Sequence, residues 1–259
     1  KGEDVSDIEL NDNLVFFKNA SFSQYVKLSV QQDKYINVGK DCSDDSLKQY
    51  TASLLQGLTV LTFVNEAYKV KEGDYILNYA AAGGVGSIFN QVLKLKGAKI
   101  IATASTEEKL QLAKKYGADY TVLVSDPDFV SKVKSFTPDG RGCDAIYDSL
   151  GKDTFEKSFE IVRRKGSLIS YGNATGTVEP LLINRLSAKN VKIARPQLFG
   201  YITEKEEFDH YSKELIKLID EKKLCINIFK TYDLKEYPEA TKLMEDRKTT
   251  GKLLLKAPE

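Results

Sequence analysis

The chain has 259 residues, room for one large domain or two modest ones. Lys plus Arg number 38 and Asp plus Glu 37, a formal net charge of +1, which excludes a nucleic-acid binder that works through bulk charge. No apolar run is long enough to span a bilayer, and one histidine (His210) with three scattered cysteines (Cys42, Cys143, Cys225) supplies neither a zinc site nor a disulfide framework.

Residues 1–50 read as strands and loops. Asn13-Leu14-Val15-Phe16-Phe17 is a short apolar strand, and Phe22, Tyr25, Val26 and Leu28 suggest a second. Leu47, Ala52, Leu54, Leu55 and Leu58 begin a helical pattern that runs through Val64. From residue 74 the rhythm becomes strand, turn, helix, repeated. Strands are expected at 75–79, 99–104, 120–124, 145–148, 168–171 and 191–194, with helices between them. That alternation predicts a doubly wound parallel α/β sheet of the Rossmann kind. After Pro196 come a long helix over 204–222, a strand near Ile226–Phe229, a short helix with Ala240, Leu243 and Met244, and a strand at Leu253–Leu255. This tail does not extend the repeat and is expected to return to the first segment.

The strongest chemical signal is Ala80-Ala81-Ala82-Gly83-Gly84-Val85-Gly86, between a strand and a helix. Gly83 lets backbone approach a pyrophosphate, Gly86 lets helix and strand pack closely, and the helix N-terminus offers N–H groups to phosphate oxygens. Ala81 stands where the first glycine of the pattern is usual. A glycine-rich turn without a ligand is the alternative. The second strand ends Ala104-Ser105-Thr106, with no acid to hold a ribose 2′-OH, and Lys109 follows one turn later. Hydroxyls plus a lysine suit a 2′-phosphate, which favours NADPH. The alternative is that Ser105 only caps its helix, in a capping box with Glu108, and that Lys109 is a solvated surface residue. His210 reads as part of a charged, solvent-facing helix. Arg163-Arg164-Lys165 reads as the cationic C-terminal end of a helix before Gly166.

The runs Asn78–Gly86 (NYAAAGGVG), Tyr147–Phe155 (YDSLGKDTF), Ser170–Asn173, Arg195–Ile202 (RPQLFGYI) and Arg247–Lys252 (RKTTGK) resemble the quinone oxidoreductases. These are the zinc-less, zeta-crystallin-like branch of the medium-chain dehydrogenase/reductase superfamily, and the fungal members look closest. The resemblance covers nearly the whole chain. It implies a Rossmann domain inserted in a GroES-like β domain that is here partial. The expected divisions are 1–53 for the remainder of the catalytic domain, 54–201 for the NADPH domain and 202–259 for the return to the catalytic domain. It also implies NADPH, no metal, a homodimer made through the nucleotide domain, and hydride transfer to a quinone or activated alkene. Cofactor contacts are implied at Thr59, at Ala82, Gly83, Gly84, Val85 and Gly86, and at Ser105 and Lys109. Others are implied at Ser149, Tyr171, Gly172, Asn173, Gln197, Leu198 and Arg247.

The sequence also departs from the family. The Gly-Asp turn is here Asn11-Asp12-Asn13, and a tyrosine that some members use near the adenosine phosphate falls on Val124. The chain opens at Lys1 rather than methionine, which reads as a removed leader or a fragment. A longer N-terminal stretch of the family, with an Asn and a Tyr near the nicotinamide, has no counterpart here. No catalytic side chain is assigned, and the physiological substrate stays open. Two further readings stand beside the reductase: an NADPH-binding subunit without catalysis, and a secondary role on AU-rich RNA, against which the +1 charge argues. The expected compartment is reducing, the cytoplasm and alternatively also the nucleus.

Overall fold

The computed structural model describes every residue except Ala20, Arg247 and Glu259. It divides into two compact units: Lys1–Leu58 with Ile202–Glu259, and Thr59–Tyr201.

In the first unit, β1 (Asn13–Phe16) pairs antiparallel with β2 (Tyr35–Gly39). The strand expected around Phe22–Leu28 does not form. Phe22 and Tyr25 are 68% and 84% exposed, so no packed layer rewards their extension, and Tyr35–Gly39 supplies the partner of β1 instead. Helix α1 (Asp44–Thr62) follows. Within this unit α1 meets a later helix, α7 (Lys205–Asp220), through Gly57, where a Cβ would collide with Leu215, and through Tyr50, whose hydroxyl donates to Asp220 at 2.5 Å.

The second unit opens with the end of α1 and a π-helical turn (Phe63–Ala67). The sheet strands are β3 (Tyr75–Asn78), β4 (Lys99–Ala104), β5 (Tyr120–Leu123), β6 (Cys143–Asp148), β7 (Val162–Ser170) and β8 (Lys192–Ala194). Their order is β5-β4-β3-β6-β7-β8, with each described pairing parallel. The chain starts at β3, winds outward to β5, returns and winds to β8. The order therefore reverses between β3 and β6, the place where doubly wound sheets bind ligands. The connecting helices are α2 (Gly84–Leu95), α3 (Glu107–Lys115), α4 (Phe129–Ser135) and α5 (Phe155–Ile161), and α6 (Leu198–Tyr201) closes the unit. One face of the sheet buries Leu77, Tyr79, Ile101 and Ile146 against Phe129, Val133, Phe155 and Ile161.

Arg163-Arg164-Lys165 belongs to β7, not to a helix terminus, because α5 ends at Ile161 and Val162 already pairs with Cys143. Arg163 Nε donates to Asp144 at 2.5 Å, a carboxylate that also takes the Tyr75 N–H at 2.8 Å. Arg141 donates to the same carboxylate at 3.2 Å, and a nearly buried acid with this charge-assisted contact captures Arg163 more strongly than a helix end would.

The tail returns to the first unit as α7 (Lys205–Asp220), β9 (Ile228–Asp233), α8 (Tyr237–Glu245) and β10 (Lys252–Lys256), which runs parallel to β9. No helix among the described residues is long and apolar enough to cross a membrane.

Candidate cofactor-binding site

The glycine turn begins where β3 stops. Ala81 N–H donates to Thr103 O at 2.9 Å, which ties the turn to β4. Gly83 N–H donates to Ala80 O at 2.9 Å and closes it. Gly83 is the N-cap of α2, and the first described backbone bond of that helix runs from Ser87 N–H to Gly83 O at 2.9 Å. The N–H groups of Gly84, Val85 and Gly86 precede it, so α2 offers them no partner within the helix. Gly83, Gly84 and Val85 are partly exposed, whereas Ala82 and Gly86 are buried. A Cβ on Gly86 would overlap the Ala80 carbonyl oxygen and the Ala81 Cα, so no larger residue lets α2 sit this close to the strand end.

Two buried asparagines hold the turn in place. Asn78 Nδ2 donates to Gly86 O at 2.9 Å and to Asn90 Oδ1 at 2.8 Å, and Asn90 Nδ2 donates to Ala81 O at 3.0 Å. Both are fully buried. The motif reading passed over them, although an asparagine inside an otherwise apolar strand is a visible signal for a buried polar contact.

At the end of β4, Ser105 is exposed and Lys109 is partly exposed on the first turn of α3. The N-cap is Thr106 rather than Ser105. Thr106 has the extended backbone (φ −141°) that a cap needs, and its Oγ1 accepts from Lys109 N–H at 3.4 Å. Glu108 folds back onto the same cap: bonding to its own backbone N–H and then to the Thr106 hydroxyl lowers its pKa. Ser105 is thus left at the strand tip with its side chain outside the cap.

At the end of β6, Ser149 and Leu150 turn into a loop organised by Asp148. Asp148 Oδ1 accepts from Leu150 N–H at 2.9 Å and Gly151 N–H at 3.0 Å. Thr154 Oγ1 lies 2.9 Å from each carboxylate oxygen. Burial raises the Asp148 pKa despite these donors. The loop after β7 is pinned to the same residue, since Tyr171 N–H and Gly172 N–H reach Asp148 O at 2.8 and 3.3 Å. A Cβ on Gly172 would overlap Ser149 O. Ser149 hydrogen-bonds the Tyr171 side chain, whose phenol burial pushes up. The Tyr171 ring packs edge-on to Phe63 at 5.6 Å and tilted against Phe89 of α2 at 5.8 Å. Arg195, after β8, donates to Ser170 O at 3.0 Å and Gly172 O at 3.1 Å.

The expected residues thus fall into two groups. Ala82–Gly86, Ser105, Ser149, Tyr171–Asn173 and Gln197–Leu198 all follow the carboxyl ends of β3, β4, β6, β7 and β8. Asn173 and Gln197 are exposed there, and Leu198 is buried at the start of α6. Thr59 instead lies half-buried on α1, where its carbonyl accepts from Thr62 Oγ1 at 3.1 Å. Arg247 lies outside the described residues. His210 is exposed on α7, edge-on to Tyr211 at 4.9 Å. Among the described residues no three His, Cys, Asp or Glu side chains gather into a possible metal site.

A probable quinone oxidoreductase of Schizosaccharomyces pombe is 39% identical over 251 residues, covering 96% of this chain and 74% of that protein. This chain belongs to the quinone oxidoreductase family. Its neighbours within the medium-chain dehydrogenase/reductase superfamily include the 2-haloacrylate reductase of a Burkholderia species, 37% identical over 86% of this chain and 67% of that protein. The zinc-binding dehydrogenase family model matches residues 84–221. The crystal structure of Escherichia coli quinone oxidoreductase, complexed with NADPH, superposes with a TM-score of 0.87 at 33% identity, covering 97% of this chain and 77% of that one.

Proposed function

We propose that this chain is an NADPH-dependent reductase of quinones or activated alkenes. The observation that carries the cofactor reading is the seat of α2: a helix N-terminus whose first N–H groups have no partner within the helix, brought against β3 at Gly86 beside the switch point. A pyrophosphate fits that place by charge and by room. Ser105, the Thr106 cap and Lys109 fit a 2′-phosphate at the end of β4, and the Glu108 carboxylate is turned into the cap rather than out to an anion. The loops carrying Ser149 and Tyr171–Asn173 would line the rest of the cofactor, with Gln197 and Leu198 beyond them, and Thr59 and Arg247 are proposed as further contacts.

When bound, NADPH supplies the hydride that reduces the acceptor. The protein's part is to hold and orient it: dipole and backbone N–H groups on the phosphates, Lys109 on the 2′-phosphate, and the Phe63 and Phe89 rings packed against Tyr171. The acceptor class comes from the family, whose relatives are named for quinones and for 2-haloacrylate.

The unit Thr59–Tyr201 is proposed as the nucleotide domain and the remainder as the catalytic domain. A homodimer through the nucleotide domain is supported by the open edge of β8 and by Leu182 and Ile183, 71% and 78% exposed just before it. Three cysteines far apart in the sequence, at 42, 143 and 225, suit a reducing compartment such as the cytoplasm. The test is NADPH oxidation with an ortho-quinone, run beside fluorescence-detected NADPH binding. Binding without oxidation removes the reductase reading and leaves the cofactor site.

A further inference from the structure

We propose that Asp148 is a positioning residue, a buried carboxylate retained to set the loops after β6 and β7 for the cofactor rather than to stabilise the fold. The proposal rests on the cofactor reading above.

Asp148 is completely buried and its carboxylate has no described cationic partner; the donors around it are neutral. Such a group costs desolvation energy that an apolar or amide side chain avoids. Its pKa is raised, so folding disfavours the charged form. Stability alone gives no reason for a carboxylate here.

Position gives one. The side chain fixes the loop 149–154 through Leu150 N–H, Gly151 N–H and the Thr154 hydroxyl. The main-chain oxygen of the same residue fixes Tyr171 and Gly172. One residue therefore sets both loops that carry Ser149, Tyr171, Gly172 and Asn173. A carboxylate suits the task because it accepts only. All four oxygen lone-pair directions can face donors, and charge-assisted bonds hold them about twice as firmly as neutral ones. Ser158 Oγ, 3.3 Å from Oδ2 and 3.1 Å from Tyr79 Oη, extends the clasp down to β3.

An amide would keep the backbone bonds but present N–H to the hydroxyl side. Thr154 and Ser158 would then turn to accept, and the loop would loosen without the core losing volume.

The test measures NADPH dissociation constants and melting temperatures for wild type, Asp148→Asn, Thr154→Val and Thr154→Ser. The expected result is that Asp148→Asn melts at or above wild type while its NADPH affinity falls about tenfold. Thr154→Val should weaken NADPH in the same way, and Thr154→Ser, which keeps the hydroxyl, should restore it. The proposal is overturned if Asp148→Asn binds NADPH like wild type, if it melts well below wild type or fails to fold, or if Thr154→Ser binds no better than Thr154→Val. Wild type that binds no NADPH defeats the cofactor reading and this proposal with it.

Discussion

Asn78 on β3 and Asn90 on α2 meet at 2.8 Å beneath the glycine turn, and between them they satisfy the carbonyls of Gly86 and Ala81. The turn that presents N–H groups outward is held from below by a fully buried amide pair. Asn78 Oδ1 has no donor among the described residues, so the pair already carries one uncompensated acceptor.

Asn90→Leu should destabilise the protein by about 2–3 kcal/mol, because it strands the Ala81 carbonyl and one Asn78 proton in the core. Adding Asn78→Leu should cost less than the sum of the two single changes, since both ends of the central bond then disappear together. Urea unfolding of the three variants checks this. Strict additivity would show that the amides do not act as a pair.

Gly86→Ala places a methyl against backbone atoms of Ala80 and Ala81, which cannot turn aside as a side chain could. The expected outcome is at least about a tenfold loss of NADPH affinity together with a lower melting temperature. Fluorescence titration and thermal melting measure both. Wild-type affinity in this variant would mean that the turn does not seat the pyrophosphate.

Lys109→Ala should weaken NADPH about tenfold and leave NADH nearly unchanged, because the charge removed is the one proposed to meet the 2′-phosphate. The check is the ratio of the two dissociation constants, and an equal loss for both cofactors would remove the assignment.

Asp148 gives a pH dependence of defined sign. Its folded pKa lies above its ordinary 3.8, so the folded state holds the proton more tightly. The associated stability is fully present below the ordinary value and is lost as pH rises through the folded one. Tyr79 just after β3 and Tyr171 after β7 face this carboxylate, and burial pushes both phenols up, so neither titrates in that range. Urea midpoints of wild type and Asp148→Asn should therefore differ more, in favour of Asn, at about pH 7 than at about pH 4. The reverse trend would contradict the raised value.

Much of the parallel sheet was legible because each strand from Tyr75 to Ala194 is a short apolar run closed by a turn, and the helices between them carry apolar residues at helical spacing. The errors fell where a tertiary partner decides. Phe22–Leu28 has the residues of a strand but no packed layer, and Arg163–Lys165 follows helical residues yet is drawn into β7 by Asp144. The cap of α3 moved one residue because Thr106, not Ser105, takes the extended backbone. At the site, the glycine turn was visible as a motif. The Asn78–Asn90 pair and the Asp148 clasp were not, because each joins groups from different elements that come together only once strand, turn and helix have folded.

The glycine turn, Lys109 and the strand-end loops are proposed to hold NADPH for reduction of a quinone or activated alkene. The most direct test is the rate of NADPH oxidation by the purified chain with an ortho-quinone, with NADH as the parallel donor. The expected result is quinone-dependent oxidation of NADPH, slower oxidation of NADH, and loss of that preference in Lys109→Ala. No quinone-dependent oxidation by a chain shown to bind NADPH, or equal use of both donors by wild type, would contradict it.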